Sequence, residues 1–158
     1  MWHQFRSKIS CKIVADVFSK AKRSRVMAAI RSAGNRDTEL RLVQLFRAHG
    51  IVGWRRKHRI FGKPDFVFLP EKIAVFVDGC FWHGCPEHGR QPASNQDYWL
   101  KKLRRNRQRD ANVKKTLRAA GWIVVRFWEH DLQKPARSVF RIRQAINRGR
   151  NRLKSTPK

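Results

Sequence analysis

Apolar residues in the first half of the chain recur first at a helical spacing and then in short continuous runs. Leu42, Val43 and Phe46 share one face of the segment Thr38–His49, and a glycine follows it, so the pattern predicts an amphipathic helix. Three short apolar runs come next and predict strands, namely Ile51–Arg56, Phe66–Leu69 and Ile73–Val77. Because only residues 70–72 separate the last two, we expect these strands to form a hairpin inside the sheet.

The second half of the chain predicts two helices and a fourth strand. A long helix should run from about residue 96 to residue 120, where Gly121 ends it, and Trp122–Trp128 should form a buried strand. A final basic helix is expected over residues 136–148. The order of these elements predicts an α/β fold with a mixed β-sheet flanked by helices.

The chain shows no internal repeat and no long linker, so we expect one domain over residues 16–150. Residues 1–15 are an unassigned N-terminal extension, and residues 151–158 are expected to be a basic tail. A short helix capped by Ser24 and carrying Met27 is predicted near the start of the domain.

Two polar residues interrupt the apolar stripe of the long helix, which consists of Trp99, Leu103, Asn106, Asp110, Val113, Leu117 and Ala120. Burying the Asp110 carboxylate without a partner would be costly, so we expect it to pair with a histidine such as His83. An aspartate in that place holds the orientation of the imidazole. Lys102 lies one turn before Asn106, so both could face a groove, although a solvated basic face explains Lys102 equally well.

Carboxylates also stand at the ends of predicted strands. Asp65 follows Pro64 at the start of one strand and Asp78 ends its neighbour, a placement that suits Mg²⁺ but that a simple turn aspartate would also explain. Glu39 lies at the head of the buried stripe of the first helix. It either faces the sheet with a functional role or complements the helix dipole.

The charge of the chain indicates its partner. The sequence has 37 Lys and Arg against 11 Asp and Glu, a formal net charge of +26 on 158 residues. Repulsion among so many like charges favours a polyanionic partner, and nucleic acid is the expected one. A basic ribosome-type binder and an anionic membrane surface are the alternatives.

Composition also limits the class of protein. Hydrophobic residues make up 41% of the chain, and this amount supports one core. No apolar run reaches the roughly 18–20 residues that would span a bilayer, and the first residues lack a secretory leader. Three cysteines, two of them near histidines, are typical of metal binding in a reducing compartment. We therefore expect a cytoplasmic protein.

The segment 76–88 combines cysteines and histidines behind an apolar strand. Cys80, Cys85 and His88 have a spacing typical of zinc ligands, but structural zinc usually has four. His130 is the best candidate for the fourth, and Cys11 and Asp131 are rivals. The alternative is a pair of buried free cysteines.

Phe81 and Trp82 lie between the loop glycines Gly79 and Gly84. Such a pair either projects from the loop as a wedge between base steps or belongs to the core. The flanking glycines favour projection.

These segments resemble the very short patch repair (Vsr) family of DNA mismatch endonucleases. The resemblance runs in order through residues 16–132, and its strongest motifs are Gly62-Lys63-Pro64-Asp65-Phe66-Val67-Phe68 and Phe76-Val77-Asp78-Gly79-Cys80-Phe81-Trp82-His83-Gly84-Cys85-Pro86. It implies a restriction-endonuclease-like fold with structural Zn²⁺ and Mg²⁺-dependent hydrolysis. The implied reaction is nicking 5′ of the thymine of a T·G mismatch in double-stranded DNA. We expect a monomer, with mismatch-repair accessory proteins as candidate partners; the sequence leaves open whether they assist the activity.

The resemblance also implies roles for particular residues. Asp65 and the backbone carbonyl of Val77 would bind Mg²⁺, His83 would be the catalytic histidine, and Asp110 and Glu39 would be supporting acids. The implied zinc ligands are Cys80, Cys85, His88 and His130. The implied DNA contacts are Met27, Phe81 and Trp82 beside the mismatch and Lys102 and Asn106 on the mispair.

One motif departs from related nucleases. Their Glu-x-Lys pair corresponds here to Val77-Asp78-Gly79, which has no lysine, so the role of the base passes to His83. Two rival hypotheses are a nicking nuclease of the same fold with another specificity and a zinc-stabilised DNA-binding protein without catalysis.

Overall fold

The computed structural model describes residues 36–89 and 95–155. A π-helical turn, Arg36–Leu40, leads into helix α1, Arg41–Ala48. The strands and remaining helices are β1 (Trp54–Arg56), β2 (Phe66–Phe68), β3 (Ile73–Asp78), α2 (Gln96–Ala119), β4 (Ile123–Trp128) and α3 (Pro135–Ser155), with a 3₁₀ turn, Glu129–Gln133, before α3. The predicted helix near Ser24, together with Met27 and Cys11, lies outside the described residues.

The four strands form one mixed sheet in the order β1-β2-β3-β4. β1 and β3 are both antiparallel to β2, so the predicted hairpin between β2 and β3 is confirmed. β4 lies parallel to β3, with α2 as the crossover between them. The predicted α/β class with a mixed sheet and flanking helices is therefore confirmed.

Helices cover both faces of the sheet. One core cluster joins apolar residues of α1 and α3, among them Phe46 and Ile142, to Val75 and Phe127. A second cluster joins Ala74 and Phe76 to α2. Since side chains alternate along a strand, Asp78 of β3 lies on the same face as Phe76, which is the face that α2 covers.

Two predicted boundaries and one residue of the predicted apolar stripe are wrong. The first strand is limited to Trp54–Arg56, because Gly53 has a φ of 87°, which an extended strand cannot include. Ala120 is exposed rather than part of the apolar stripe, because α2 ends at Ala119.

The last helix continues to Ser155, so residues 151–155 of the predicted tail are helical. Gly149 lies within this helix, and a Cβ there would come 2.5 Å from Glu71, so the glycine permits a close contact. Across residues 36–89 and 95–155, no helix combines the length and apolar character that crossing a lipid bilayer requires.

Candidate active site and metal centre

Asp65 enters the sheet at the start of β2 and is fixed by the neighbouring strand. Its Oδ2 accepts a hydrogen bond of 2.7 Å from the backbone N–H of Val77. This contact follows from the antiparallel register, which pairs Phe66 with Val75 and so brings Asp65 beside the end of β3.

Burial raises the pKa of Asp65 to about 6. The hydrogen bond from Val77 opposes this rise, whereas the nearby carboxylates of Glu39 and Asp78 add to it. Desolvation and like charge both disfavour the carboxylate form. A cation beside Asp65 would offset both effects, so the chemistry of the residue fits a divalent metal ligand.

His83 is paired with Asp110 of α2. Its Nδ1 lies 2.6 Å from Asp110 Oδ2, which is the pairing expected from the interrupted stripe of the long helix. Burial alone would raise the pKa of Asp110, but the hydrogen bond from His83 and the charge of Arg126 outweigh it and leave the pKa below its usual value. Because Asp110 is thus a carboxylate, Nδ1 is the donor in this short contact, and Nε2 is the ring nitrogen that can accept a proton when the ring carries only one.

Arg126 on β4 is a further residue of the site and was not among the residues predicted from the sequence. Its Nε and Nη2 each lie 2.6 Å from one oxygen of Asp78, and its Nη2 lies 3.2 Å from Asp110 Oδ1. The available signal was a charged residue in the middle of the apolar run Ile123–Trp128. Asp78, His83 and Asp110 are close enough to hold a metal ion together, but the Arg126 guanidinium already forms ion pairs with both carboxylates.

These groups open into one cleft of about 690 Å³. Its lining includes Asp65, Asp78, His83, Asp110 and Arg126. Lys63 and Arg109 add positive charge to its walls. The arrangement combines a carboxylate suited to a cation, a proton-accepting imidazole and basic groups suited to phosphate.

Glu39 is buried and pairs with Arg56 of β1. Its carboxylate also contributes to the raised pKa of Asp65. The side chain therefore faces the sheet near the cleft, as one of the two interpretations from the sequence expected.

Four further side chains converge at a second place beside the loop that carries His83. Cys80, Cys85, His88 and His130 place their ligand atoms within 4.8 Å of one another. His130 Nδ1 lies 3.2 Å from Cys80 Sγ and 3.6 Å from Cys85 Sγ, and His88 Nδ1 lies 4.0 Å from Cys85 Sγ. Tetrahedral zinc with bonds of about 2.3 Å to sulfur and about 2.0 Å to nitrogen would separate such ligands by about 3.5 Å. The group therefore fits a zinc ion.

Acidic residues surround this cluster. The backbone N–H of Cys80 donates to Glu129 Oε2 at 3.3 Å, and His130 Nε2 lies 3.6 Å from Glu87 Oε2. A carboxylate on the outer nitrogen of a ligating histidine is a common feature of zinc sites. Burial raises the pKa of the Cys80 thiol to about 11, so a thiolate at neutral pH requires a cation beside it.

Of the two rivals for the fourth ligand, Asp131 is outside this group. Asp131 accepts a hydrogen bond from the backbone N–H of Trp128 at 3.0 Å and pairs with Arg141, so it completes the turn after β4. Cys11 lies outside the described residues.

Phe81 and Trp82 form an aromatic cluster with the start of α2. Their ring centroids lie 5.0 and 5.9 Å from that of Trp99, and both residues are partly exposed. Lys102 Nζ lies 5.1 Å from the Trp82 ring, and Asn106 Nδ2 donates to the Trp82 carbonyl at 2.9 Å. The structure brings four predicted DNA-contact residues together, while the fifth, Met27, lies outside the described residues.

Comparison with known proteins gives consistent matches. The family described as DNA mismatch endonuclease Vsr matches residues 15–88. The type II nicking enzyme V.NaeI of Lentzea aerocolonigenes is 47% identical over 119 residues, 70% of this chain and 69% of that protein. V.NmeDIP, a type II nicking enzyme of Neisseria meningitidis serogroup C, is 37% identical over 134 residues, 83% of this chain and 90% of that protein. DNA mismatch endonuclease Vsr of Escherichia coli (strain K12) is 36% identical over 122 residues, 73% of this chain and 74% of that protein.

Proposed function

The chain belongs to the Vsr family of DNA endonucleases, and we propose that it nicks one strand of duplex DNA 5′ of the thymine of a T·G mismatch. The reaction is hydrolysis of a phosphodiester bond, with Mg²⁺ as the catalytic cation. The observation that carries this proposal is that Asp65 and the His83–Asp110 pair line one cleft.

The proposed cation ligands are the Asp65 carboxylate and the Val77 carbonyl. Support comes from the buried carboxylate of Asp65, which has two other acids near it and which a cation would stabilise. When bound, Mg²⁺ supplies positive charge that offsets the negative charge growing on the phosphate in the transition state.

His83 is the proposed general base. Its Nδ1–H donates to Asp110, and this leaves Nε2 to take the proton of the attacking water. Asp110 holds the ring in that orientation and stabilises the imidazolium after proton transfer. Glu39, which Arg56 holds at the edge of the same region, is the proposed further acid.

Zn²⁺ is the proposed structural cofactor, with Cys80, Cys85, His88 and His130 as its ligands. The support is the donor set of two sulfurs and two nitrogens at distances that match a tetrahedron. The ion would tie the loop after β3 to the turn after β4 and would thereby support His83.

The mismatch is proposed to be recognised by the aromatic cluster of Phe81 and Trp82, with Met27 as a further apolar contact. Lys102 and Asn106 lie beside this cluster and are the proposed polar contacts to the mispair. A T·G pair stacks less stably than a Watson–Crick pair, so inserting an aromatic ring there costs less.

The test is a nicking assay on four duplexes of one sequence, which carry T·G, A·C, T·A or C·G at the same position. Wild-type protein with Mg²⁺ should cut the thymine strand of the T·G duplex fastest and should be inactive with a chelator. Asp65→Asn should abolish nicking but retain DNA binding, because it removes a charge that faces phosphate. Glu71→Gln, at the turn before β3, is the control carboxylate and should keep wild-type activity. Equal cutting of all four duplexes, or activity in Asp65→Asn, would overturn the proposal.

A second candidate is a nicking nuclease that recognises a sequence rather than a mismatch. The names of two relatives, both type II nicking enzymes, favour this alternative. It predicts efficient nicking of fully paired duplexes that contain one sequence, and a library of matched duplexes would reveal that pattern. Membership of an endonuclease family excludes the third hypothesis, a binding protein without catalysis.

A further inference from the structure

Two carboxylates lie within reach of the same ring nitrogen of His83. Nδ1 is 2.6 Å from Asp110 Oδ2 and 3.6 Å from Asp78 Oδ1. Nδ1 has a single proton to donate, so only one of the two carboxylates can accept a full hydrogen bond. The choice between them determines how the imidazole is oriented, and with it the position of Nε2.

In the structure, Arg126 determines which of the two carboxylates binds His83 Nδ1. Its Nε and Nη2 bind both oxygens of Asp78 at 2.6 Å each, in a two-point contact. The same Nη2 lies 3.2 Å from Asp110 Oδ1, so Oδ2 of Asp110 faces His83 without competition from the guanidinium. One planar cation therefore occupies the first carboxylate and holds the second in place.

The position of Arg126 is itself fixed by the sheet. β4 pairs Arg126 with Phe76 of β3, and the guanidinium lies 4.9 Å from the Phe76 ring centroid. The carbonyl of Arg126 accepts a hydrogen bond of 2.6 Å from Arg141 Nη2 of α3. A side chain anchored at both ends can hold a precise geometry, which is what an indirect role in catalysis requires.

A different arginine near the pair lacks this geometry. Arg109 Nε lies 3.9 Å from Asp110 Oδ1, and its side chain is 64% exposed, against 21% for Arg126. Solvent screens such an exposed charge. Arg109 therefore adds charge to the cleft without fixing either carboxylate.

We propose that Arg126 is a positioning residue that withdraws Asp78 from His83 and holds Asp110 against His83 Nδ1. The consequence for the enzyme rests on the proposed role of His83 as general base. Without the guanidinium, the freed Asp78 carboxylate competes for Nδ1–H and the ring divides its time between two orientations. Nε2 is then oriented to accept the proton of the attacking water in only a fraction of the enzyme molecules.

The first experiment replaces Arg126 by methionine, which has a similar length but no charge. Single-turnover nicking of saturating T·G duplex should slow about 10- to 100-fold, since small misplacements of a reacting group have effects of this size. The dissociation constant for the duplex should change little, because Arg126 acts on the chemical step. Arg150→Met removes an arginine from another ion pair, with Glu71, and should retain the wild-type rate.

The second experiment distinguishes positioning from a general structural role. Asp78→Asn combined with Arg126→Met removes the competing carboxylate together with the arginine, so the double variant should nick faster than Arg126→Met alone. NMR of ¹⁵N-labelled histidine reports the ring independently of activity. His83 should show a proton held on Nδ1 in the wild type and mixed or exchange-broadened signals in Arg126→Met.

Several outcomes would overturn the proposal. These are an unchanged rate and unchanged His83 signals in Arg126→Met, a slow variant whose His83 signals remain wild-type, and a double variant no faster than the single. If Arg126→Met does not fold, Arg126→Lys keeps the charge but loses the two-point contact and should show the same NMR change. If His83→Ala nicks at the wild-type rate, the proposed base is wrong, while the NMR comparison still tests the positioning of the ring.

Discussion

His83 and the candidate zinc ligands belong to one short loop, but their contacts point in different directions. His83 bonds to Asp110 of α2, whereas Cys80 and Cys85 face His130. Only Gly84 separates His83 from Cys85, and yet the two side chains belong to different candidate sites. A substitution at His83 should therefore change the nicking rate without changing the zinc content, whereas a substitution at Cys85 should remove the zinc.

His83→Ala should lower the nicking rate about 10²- to 10⁴-fold, the usual contribution of a general base. Its zinc content should equal that of the wild type, because the ring does not contact either sulfur. Single-turnover kinetics and metal analysis by mass spectrometry measure the two effects separately. Cys85→Ala is the converse control and should lose the metal. Loss of zinc in His83→Ala would show that the two roles are assigned wrongly.

At this scale, the sequence was informative where a polar residue broke the apolar stripe of the long helix and where cysteines and histidines clustered. The interruption of the α2 stripe at Asp110 correctly predicted its contact with His83, since a buried carboxylate needs a partner. The clustering of Cys80, Cys85 and His88 with His130 was likewise expected. The contacts of Arg126 were not predicted, because they depend on the register of β4 against β3, which no local pattern specifies.

The loop that leads to Asp65 and β2 contains a glycine, Gly62, that packs closely against α2. Gly62 has a φ of 78°, and a Cβ there would lie 2.3 Å from Val113 Cγ1 of α2. Gly121 has a similar φ of 80° with no atom within 4 Å of the added Cβ. Alanine substitutions at these two glycines therefore separate the cost of backbone strain from the cost of close packing.

Gly62→Ala should destabilise the fold by about 2–4 kcal/mol, the sum of about 1 kcal/mol of backbone strain and about 1–3 kcal/mol of overpacking. Gly121→Ala should cost about 1 kcal/mol, since only the strain applies. Denaturant unfolding measures both. Equal losses of stability in the two variants would contradict the packing contact at Gly62.

Trp82→Ala tests whether the aromatic cluster acts on DNA or on the core. We expect it to reduce the preference for T·G over T·A duplexes and to slow nicking, with little change in stability, because Trp82 is partly exposed. Phe127→Ala, in the fully buried cluster, is the control for core damage and should destabilise by about 3–5 kcal/mol. If Trp82→Ala unfolds as readily as Phe127→Ala, the aromatic pair belongs to the core.

The candidate zinc site connects two segments that are distant in the sequence. It joins the loop after β3 to the 3₁₀ turn Glu129–Gln133 after β4. Structural zinc in small peptides contributes roughly 10–16 kcal/mol of apparent binding free energy, which is large beside the roughly 5–15 kcal/mol that stabilises a domain. Purified protein should contain about one zinc ion per chain, and a strong chelator should lower its melting temperature. An active, fully stable protein without zinc would contradict this prediction.

The order of the elements was predictable from the hydrophobic periodicity, but the residues at which the elements end were harder to predict. Gly121 does end the long helix region in a left-handed conformation, with a φ of 80°. Gly149 instead lies inside α3, where it allows Glu71 to approach. The two glycines have the same local signal, and only the tertiary contact distinguishes them.

At the scale of the whole molecule, exposed positive charge lies at the cleft edge and along α2, where we expect DNA to bind. The chain has a formal net charge of +26. α2 carries a series of exposed basic residues, namely Lys101, Arg104, Arg105, Arg107, Arg109, Lys114, Lys115 and Arg118. Contacts of such residues with phosphates provide affinity and orientation, whereas base contacts provide specificity.

Binding should therefore weaken steeply with salt while the mismatch preference stays nearly constant. Each neutralised phosphate contributes about −0.9 to the slope of log K against log salt concentration. Lys115 and Arg118 do not line the cleft that contains Asp65 and His83. Replacing either by alanine should flatten the slope by about 1 if the residue contacts a phosphate. Fluorescence anisotropy on T·G and T·A duplexes at several salt concentrations measures the slope and the preference together.

Because both duplexes have the same phosphates, these variants should weaken binding to both by the same factor. A variant that instead changed the T·G to T·A ratio would place its side chain at the bases, and binding insensitive to salt would contradict the electrostatic basis of affinity.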